Sequence, residues 1–225
     1  MIKNEELKIK NEICVVSVVS ARIINQKSEI ENQKRKNMER NIIIAGVGGQ
    51  GILTIATILD LAAMHAGLNI KQAEVHGMSQ RGGEVQTHLR IADGEIFSDL
   101  IPMGKADLIL SVEPLESLRY LPYLKQNGAI VTSDEPFKNI GNYPDENAVF
   151  EEIKKTAGDV VFVDATRIAN ELGNPKSYNI VMLGAAARFI GISNADFEWA
   201  IGNLFGSKGQ EVIDLNIKAF YAMNK

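Results

Sequence analysis

Two short stretches concentrate the side chains and backbone freedom that could do chemistry in this 225-residue chain. Residues 46–51 read GVGGQG, giving Gly46, Gly48, Gly49, Gln50 and Gly51 at a point where an apolar run gives way to a helical pattern. Residues 74–85 read EVHGMSQRGGEV, where His76, Ser79, Gln80 and Arg81 sit among Gly77, Gly82 and Gly83. The first stretch has the order and context of a dinucleotide-binding fingerprint. Its glycines permit a tight turn and let a phosphate approach the N-terminus of the following helix, where free N–H groups and the helix dipole favour an anion. Glu74, 23 residues past Gly51, stands where a ribose-binding acid is expected. The same glycines also fit close helix–strand packing, or contact with a cofactor or substrate carried by another macromolecule.

The second stretch offers a titratable ring, a hydroxyl, an amide and a fixed cation on a hinged backbone. Arg81 is suited to clamp a carboxylate or phosphate, because its planar guanidinium binds such groups bidentately. His76 can carry a proton, or can serve only as an orienting hydrogen-bond partner. A solvated connection is the alternative for the whole stretch. His65, within a helical apolar pattern, and His88, within a strand pattern, read as packing residues. Asp99, Asp107, Glu113 and Asp164 lie near strand edges without an acid–base partner and read as caps and turns.

These two stretches need a scaffold that brings them together. NIIIAGV, from Asn41, is a continuous β-branched run of the kind buried on both faces of a parallel sheet. A helix follows from Ile52 and closes at Gly67, and NIKQAEV is a second strand that leads into the His76 stretch. VQTHLRIADGEIF alternates and contains Asp93-Gly94, a hairpin signal. DLILSV, AIVTSD and DVVFVDAT are further strands. EPLESLRYLPYL, with Pro114 suited to a first helical turn, and a short helix near 146–156 lie between them. From Ser177 the pattern is helical. The fold class is therefore α/β, an open, mostly parallel, doubly wound (Rossmann-like) sheet with an antiparallel hairpin addition and a helical C-terminus. Both chemical stretches then follow the carboxyl ends of strands, where such sheets form their crevice. In the helical tail, Phe197, Trp199, Phe205, Phe220 and Tyr221 have spacings that line a core or a partner interface, with core preferred.

Bulk properties remove several function classes. Residues 1–37 hold 8 Lys and Arg against 5 Asp and Glu, which leaves 16 against 23 for the body and a charge there of about −7. No nucleic-acid partner is expected of so acidic a body. The single cysteine, Cys14, excludes an internal disulfide and an iron–sulfur or thiolate zinc site, and His65, His76 and His88 follow no metal-ligand spacing. No bound metal is expected. The apolar run Ile13–Val19 is too short for a membrane span, and Glu5, Glu6 and Glu12 ahead of it spoil a secretory signal, so a cytoplasmic location is expected. Residues 1–37 contrast with the body in lacking Gly and Pro, and the change at Met38 marks either a poorly ordered extension or a misassigned start, followed by one domain over 38–225. There is no nucleophile elbow, and Ile52 stands where a Walker lysine would be. An incomplete catalytic set of this kind points to a site finished by another chain.

The motifs taken together carry a resemblance. GVGGQG after the first strand, EVHGMSQRGGEVQTHLR after the second and LILSVEPLESLR further on are similar to the small subunit of the 2-oxoacid:ferredoxin oxidoreductases, over about residues 40–222. The HGMSQRGG form resembles the indolepyruvate branch. The resemblance implies a heteromeric enzyme whose large subunit holds thiamine diphosphate and [4Fe–4S] clusters, while this chain holds no cofactor alone. It implies oxidative decarboxylation of an aryl 2-oxoacid, with coenzyme A accepting the acyl group and ferredoxin the electrons. On that basis His76, Ser79 and Arg81 are the expected catalytic residues. Gly46, Gly48, Gly49, Gln50, Gly51, Gln80, Gly82 and Gly83 are expected to face thiamine diphosphate, coenzyme A or the partner chain alone. A free-standing nucleotide-binding protein is the competing reading.

Overall fold

The β-branched run ahead of the glycine turn forms strand β1 (Glu39–Val47), buried from Asn41 through Val47 on both faces, as a central strand between two helical layers requires. The computed structural model describes residues 38–76, 83–138, 140–155 and 158–224. The expected extension over 1–37, and Ser79, Gln80, Arg81 and Gly82 of the second stretch, lie outside the described residues. After β1 come α1 (Ile52–His65), β2 (Asn69–His76), β3 (Glu84–Ala92), β4 (Ala106–Ser111), α2 (Pro114–Arg119) and β5 (Leu124–Ser133). Then follow α3 (Glu146–Lys154), β6 (Val160–Val163), α4 (Ala165–Glu171), α5 (Tyr178–Ile190), α6 (Asn194–Phe205) and α7 (Gln210–Tyr221).

The six strands order as β2-β3-β1-β4-β5-β6. β1, β4, β5 and β6 are parallel neighbours, while β3 runs antiparallel to both β1 and β2. The expected mixed sheet and helical C-terminus are present, but the hairpin turns at a different place. Asp93-Gly94 does not fold one strand onto another: β3 ends at Ala92, and the next strand begins only at Ala106. The antiparallel pair is β2 with β3, in register from Asn69 opposite Ala92 to His76 opposite Val85. The glycine-hinged stretch is therefore the hairpin connection. The local turn signal lost because β3 already has a strand on each side, so a further strand after Gly94 has no free edge of β3 to pair with.

Two other differences are local. α2 stops at Arg119 and gives way to a single 3₁₀ turn, Leu121–Tyr123, because Pro122 cannot donate to a continuing helix. α4 was not anticipated; Asp164 caps it by accepting from the Arg167 N–H at 3.2 Å.

Alternation along the strands splits the core into two layers. Ile43, Ala45, Ile109 and Ile130 face α2 and α3, packing with Leu115, Leu118, Val149 and Ile153. The opposite face carries Ile42, Ile44, Leu108, Leu110 and Val131, all fully buried, against the layer that contains α1 and α5. α7 lies close on α5: a Cβ at Gly184 would come within 2.0 Å of the Phe220 carbonyl oxygen. Of the tail aromatics, Phe197 and Phe220 are core residues, whereas Trp199 and Tyr221 are substantially exposed.

Candidate functional site

The sheet register sets the two motifs side by side. Val47, the last residue of β1, pairs with Glu84, and His76, the last residue of β2, pairs with Val85. The Gly48 N–H donates to the Gly83 carbonyl at 2.8 Å, so the glycine turn and the end of the second stretch are bonded directly. Gly46, Gly48, Gly49, Gln50, Gly51, His76 and Gly83 thus share one rim of the sheet.

Within the turn, most of the glycine requirement comes from the chain itself. A Cβ on Gly46 would meet Gln50 Oε1 and the Ile52 Cδ1, each at 2.9 Å. Gly51 has φ 77°, and a Cβ there would lie 2.4 Å from the Asn179 Nδ2, which donates to the Gly51 carbonyl at 3.1 Å. The Val47 N–H donates to Gln50 Oε1 at 2.8 Å, and the Gln50 N–H returns to the Val47 carbonyl at 3.1 Å. The N–H groups of Gly48 and Gln50 are therefore committed within the chain and are not offered to a phosphate. Gly49 differs: its φ is 104° and the space beside it is open. Strand order also separates this fold from a dinucleotide-binding arrangement, in which the acid-bearing second strand lies next to the first. Here β3 intervenes, so Glu74 stands two strands, roughly 10 Å, from β1. Its carboxylate accepts from Gln72 Nε2 at 2.6 Å.

Next to the turn, at the point where connections pass from one face of the sheet to the other, there is a cleft of about 350 Å³. The switch falls between β1, whose helix α1 packs on one face, and β4, whose helix α2 packs on the other, which is where open α/β sheets bind ligands. Gly48, Gly49 and Gln50 form one wall, Val112 extends from β4, and Ser133, Glu135, Pro136 and Phe137 follow β5; Thr166 and Tyr178 close the far side. Burial, helped by Glu135, pushes the Tyr178 hydroxyl up to about 12, so it is a neutral donor at physiological pH. Hydroxyls, one carboxylate and an aromatic face make this a surface for holding and orienting a ligand. Among its described lining residues there is no histidine or lysine to move a proton near neutrality. Val112 lies within the LILSVEPLESLR motif but is not singled out by it, and the lining residues from Ser133 to Tyr178 are missed in the sequence because they carry no motif. The available signal was positional: each follows the end of a parallel strand or begins a helix on the same rim.

The remaining candidates take structural places. Glu113, 2% exposed, caps α2 by accepting from the Glu116 N–H at 2.9 Å and also accepts from the Tyr143 hydroxyl at 2.5 Å and the Phe137 N–H at 3.3 Å. It thereby pins the segment after β5 that floors the cleft. Asp107 accepts from the Asn41 N–H at 2.8 Å and pairs with Lys125. His88 is buried, accepts from the Ile101 N–H at 3.1 Å through Nδ1, and meets Tyr123 edge-on; desolvation holds its pKa below the ordinary value. His65 is not a core residue. It stacks on Trp199 with centroids 4.2 Å apart and bonds Asp196 at 2.7 Å, joining α1 to α6 at the surface.

Among the described residues, no helix is long and apolar enough to cross a membrane, and no group of three His, Cys, Asp or Glu is placed to hold a metal ion. The chain is 40% identical over 194 residues to the indolepyruvate oxidoreductase subunit IorB of Pyrococcus horikoshii, covering 81% of this chain and 93% of that protein. Among solved structures, it is similar to the pyruvate oxidoreductase subunit PORC of Thermotoga maritima, with TM-score 0.63, 24% identity and coverage of 83% of this chain and 95% of that one. It is also similar to the 2-oxoglutarate:ferredoxin oxidoreductase of Magnetococcus marinus, solved with 2-oxoglutarate, coenzyme A and succinyl-CoA bound, with TM-score 0.64 and 22% identity. There the match covers 81% of this chain but 30% of that longer one. These two likenesses concern the fold. The family model for pyruvate ferredoxin/flavodoxin oxidoreductase matches residues 41–223. This chain belongs to the pyruvate ferredoxin/flavodoxin oxidoreductase family.

Proposed function

We propose that this chain is the small subunit of a heteromeric, cytoplasmic 2-oxoacid:ferredoxin oxidoreductase of the indolepyruvate type, with a larger partner subunit holding thiamine diphosphate and [4Fe–4S] clusters. The HGMSQRGG stretch and the Pyrococcus horikoshii relative favour an aryl 2-oxoacid as substrate. When bound on the partner, thiamine diphosphate supplies the carbanion chemistry and the clusters the electron path to ferredoxin. This chain supplies orientation. Arg81 and Ser79 hold the substrate carboxylate or a coenzyme A phosphate, and His76 lies at the base of the same stretch. The observation that carries this reading is the direct bond between Gly48 and Gly83, since it makes one surface of two motifs 35 residues apart in sequence. The cleft beside that surface, with neutral hydroxyl donors and an apolar floor, suits the hydroxyl- and amide-bearing arm of coenzyme A.

The test is Arg81→Ala in the assembled complex, assayed with indolepyruvate, coenzyme A and ferredoxin. Loss of a charge-assisted anion contact should lower kcat/KM by roughly 10- to 100-fold. Unchanged kinetics in a complex of normal stoichiometry would remove Arg81 from the site.

A further inference from the structure

Among the described residues, four helices begin with a side chain that accepts from the backbone N–H three residues on. Three of these caps are short, Asp145 on α3, Asp164 on α4 and Ser193 on α6. Such residues are favoured because their side-chain oxygen reaches the first turn directly. The fourth is Glu113 on α2, one carbon longer than capping needs. The extra length serves a second set of donors. Oε2 holds the cap on the Glu116 N–H at 2.9 Å, while Oε1 accepts from the Tyr143 hydroxyl at 2.5 Å and from the Phe137 N–H at 3.3 Å. The Glu113 backbone is itself held to the end of β4, where the Ser111 hydroxyl donates to its carbonyl at 2.5 Å.

A carboxylate shielded from solvent to this degree is stable only with its oxygens engaged, so the start of α2 and the segment after β5 cannot shift independently of one another. Tyr143 is a standing donor in this arrangement, because burial and the adjacent Glu113 carboxylate push its hydroxyl well above the ordinary tyrosine range. Both neighbours of the tie line the cleft. Val112 precedes Glu113 in the chain, with its carbonyl 3.5 Å from Gln50 Nε2 of the glycine turn, and Phe137 supplies the apolar floor. A continuous path therefore runs from Gln50 through Val112 and Glu113 to Phe137, and it sets how far the floor stands from the turn.

We propose that Glu113 is a positioning residue for the cleft: by holding the Phe137 N–H and the Tyr143 hydroxyl, it fixes the floor at the separation from the glycine turn that the bound ligand requires. This rests on the reading given under Proposed function, in which the cleft takes the arm of coenzyme A. Glu113 itself, buried behind the floor, touches no ligand.

The experiment is steady-state kinetics of the complex between this chain and its large subunit, with coenzyme A varied at saturating indolepyruvate and ferredoxin, and then indolepyruvate varied. Glu113→Asp keeps a favoured cap on α2 but is one carbon too short to hold Phe137 and Tyr143. Tyr143→Phe leaves the cap untouched and removes one donor. Each should raise KM for coenzyme A about tenfold, with kcat and KM for indolepyruvate within about twofold of wild type. The double variant should be no worse than Glu113→Asp alone, because both remove one tie. A purely structural role would instead lower the urea midpoint of the chain and leave KM for coenzyme A unchanged in the assembled complex. That result, or an equal rise in both KM values, overturns the proposal. Should Glu113→Asp fail to fold, Tyr143→Phe decides alone. Thr166→Trp, which fills the cleft from the start of α4, tests the parent reading. If it raises KM for coenzyme A while Tyr143→Phe does not, the positioning role falls and the parent reading stands. If neither variant moves that KM, both fall.

Discussion

At the scale of single residues, the glycine turn is an internally closed structure. Gln50 turns its side chain back onto the Val47 N–H, and Gly46 and Gly51 are small because Gln50, Ile52 and Asn179 occupy the space their side chains would need. Gly51→Ala should therefore destabilise on two counts: φ of 77°, and an amide nitrogen 2.4 Å from the new methyl. Together these cost about 2–4 kcal/mol, read as a lower urea midpoint with an unchanged slope. Gly49→Ala has open space and only the backbone term, about 1–2 kcal/mol. Equal losses for the two would show that Asn179 does not pack as described. Sequence alone left the glycines open between phosphate binding and packing. Both require the same residue type, and only the position of Asn179, 128 residues away, separates them for Gly51.

At the scale of elements, α1 lies over the β2–β3 hairpin with an acid pointing inward. One carboxylate oxygen of Asp60 is buried without a hydrogen-bond partner. Burial, reinforced by Glu74 on β2, pushes its pKa up to about 6 from 3.8. The folded state then holds a proton between about pH 4 and 6 that the unfolded chain has released. This stabilisation is complete below about pH 4 and is lost as pH rises through 6. Asp60→Asn cannot ionise, so it should exceed wild type in stability by on the order of 1–2 kcal/mol at pH 8 and converge with it by about pH 4. Parallel pH curves from urea titrations would show that Asp60 is solvated in the folded chain. The elements themselves were largely readable. β1, α1, β2 and the helical tail follow from β-branched runs, helical periodicity and glycine stops. What was not readable was pairing: Asp93-Gly94 is a sound local turn signal, but strand partners are chosen across the sheet, and β3 is enclosed by β1 and β2.

At the scale of the molecule, the described residues place hydroxyls, a carboxylate and an aromatic face in a cleft on one rim, with no cluster placed to bind a metal and no histidine or lysine in the cleft lining. The fold explains how such a chain contributes to an oxidoreductase: one rim brings the glycine turn, the hairpin connection and the switch-point cleft together, where a second chain can seat its own reactive groups. The most direct measurement is reconstitution. The purified chain and its large subunit should be assayed separately and mixed, with indolepyruvate, coenzyme A and ferredoxin. Either chain alone should give negligible turnover, and the mixture full turnover at a fixed stoichiometric ratio. Full turnover by the large subunit alone, or by this chain alone, would contradict it.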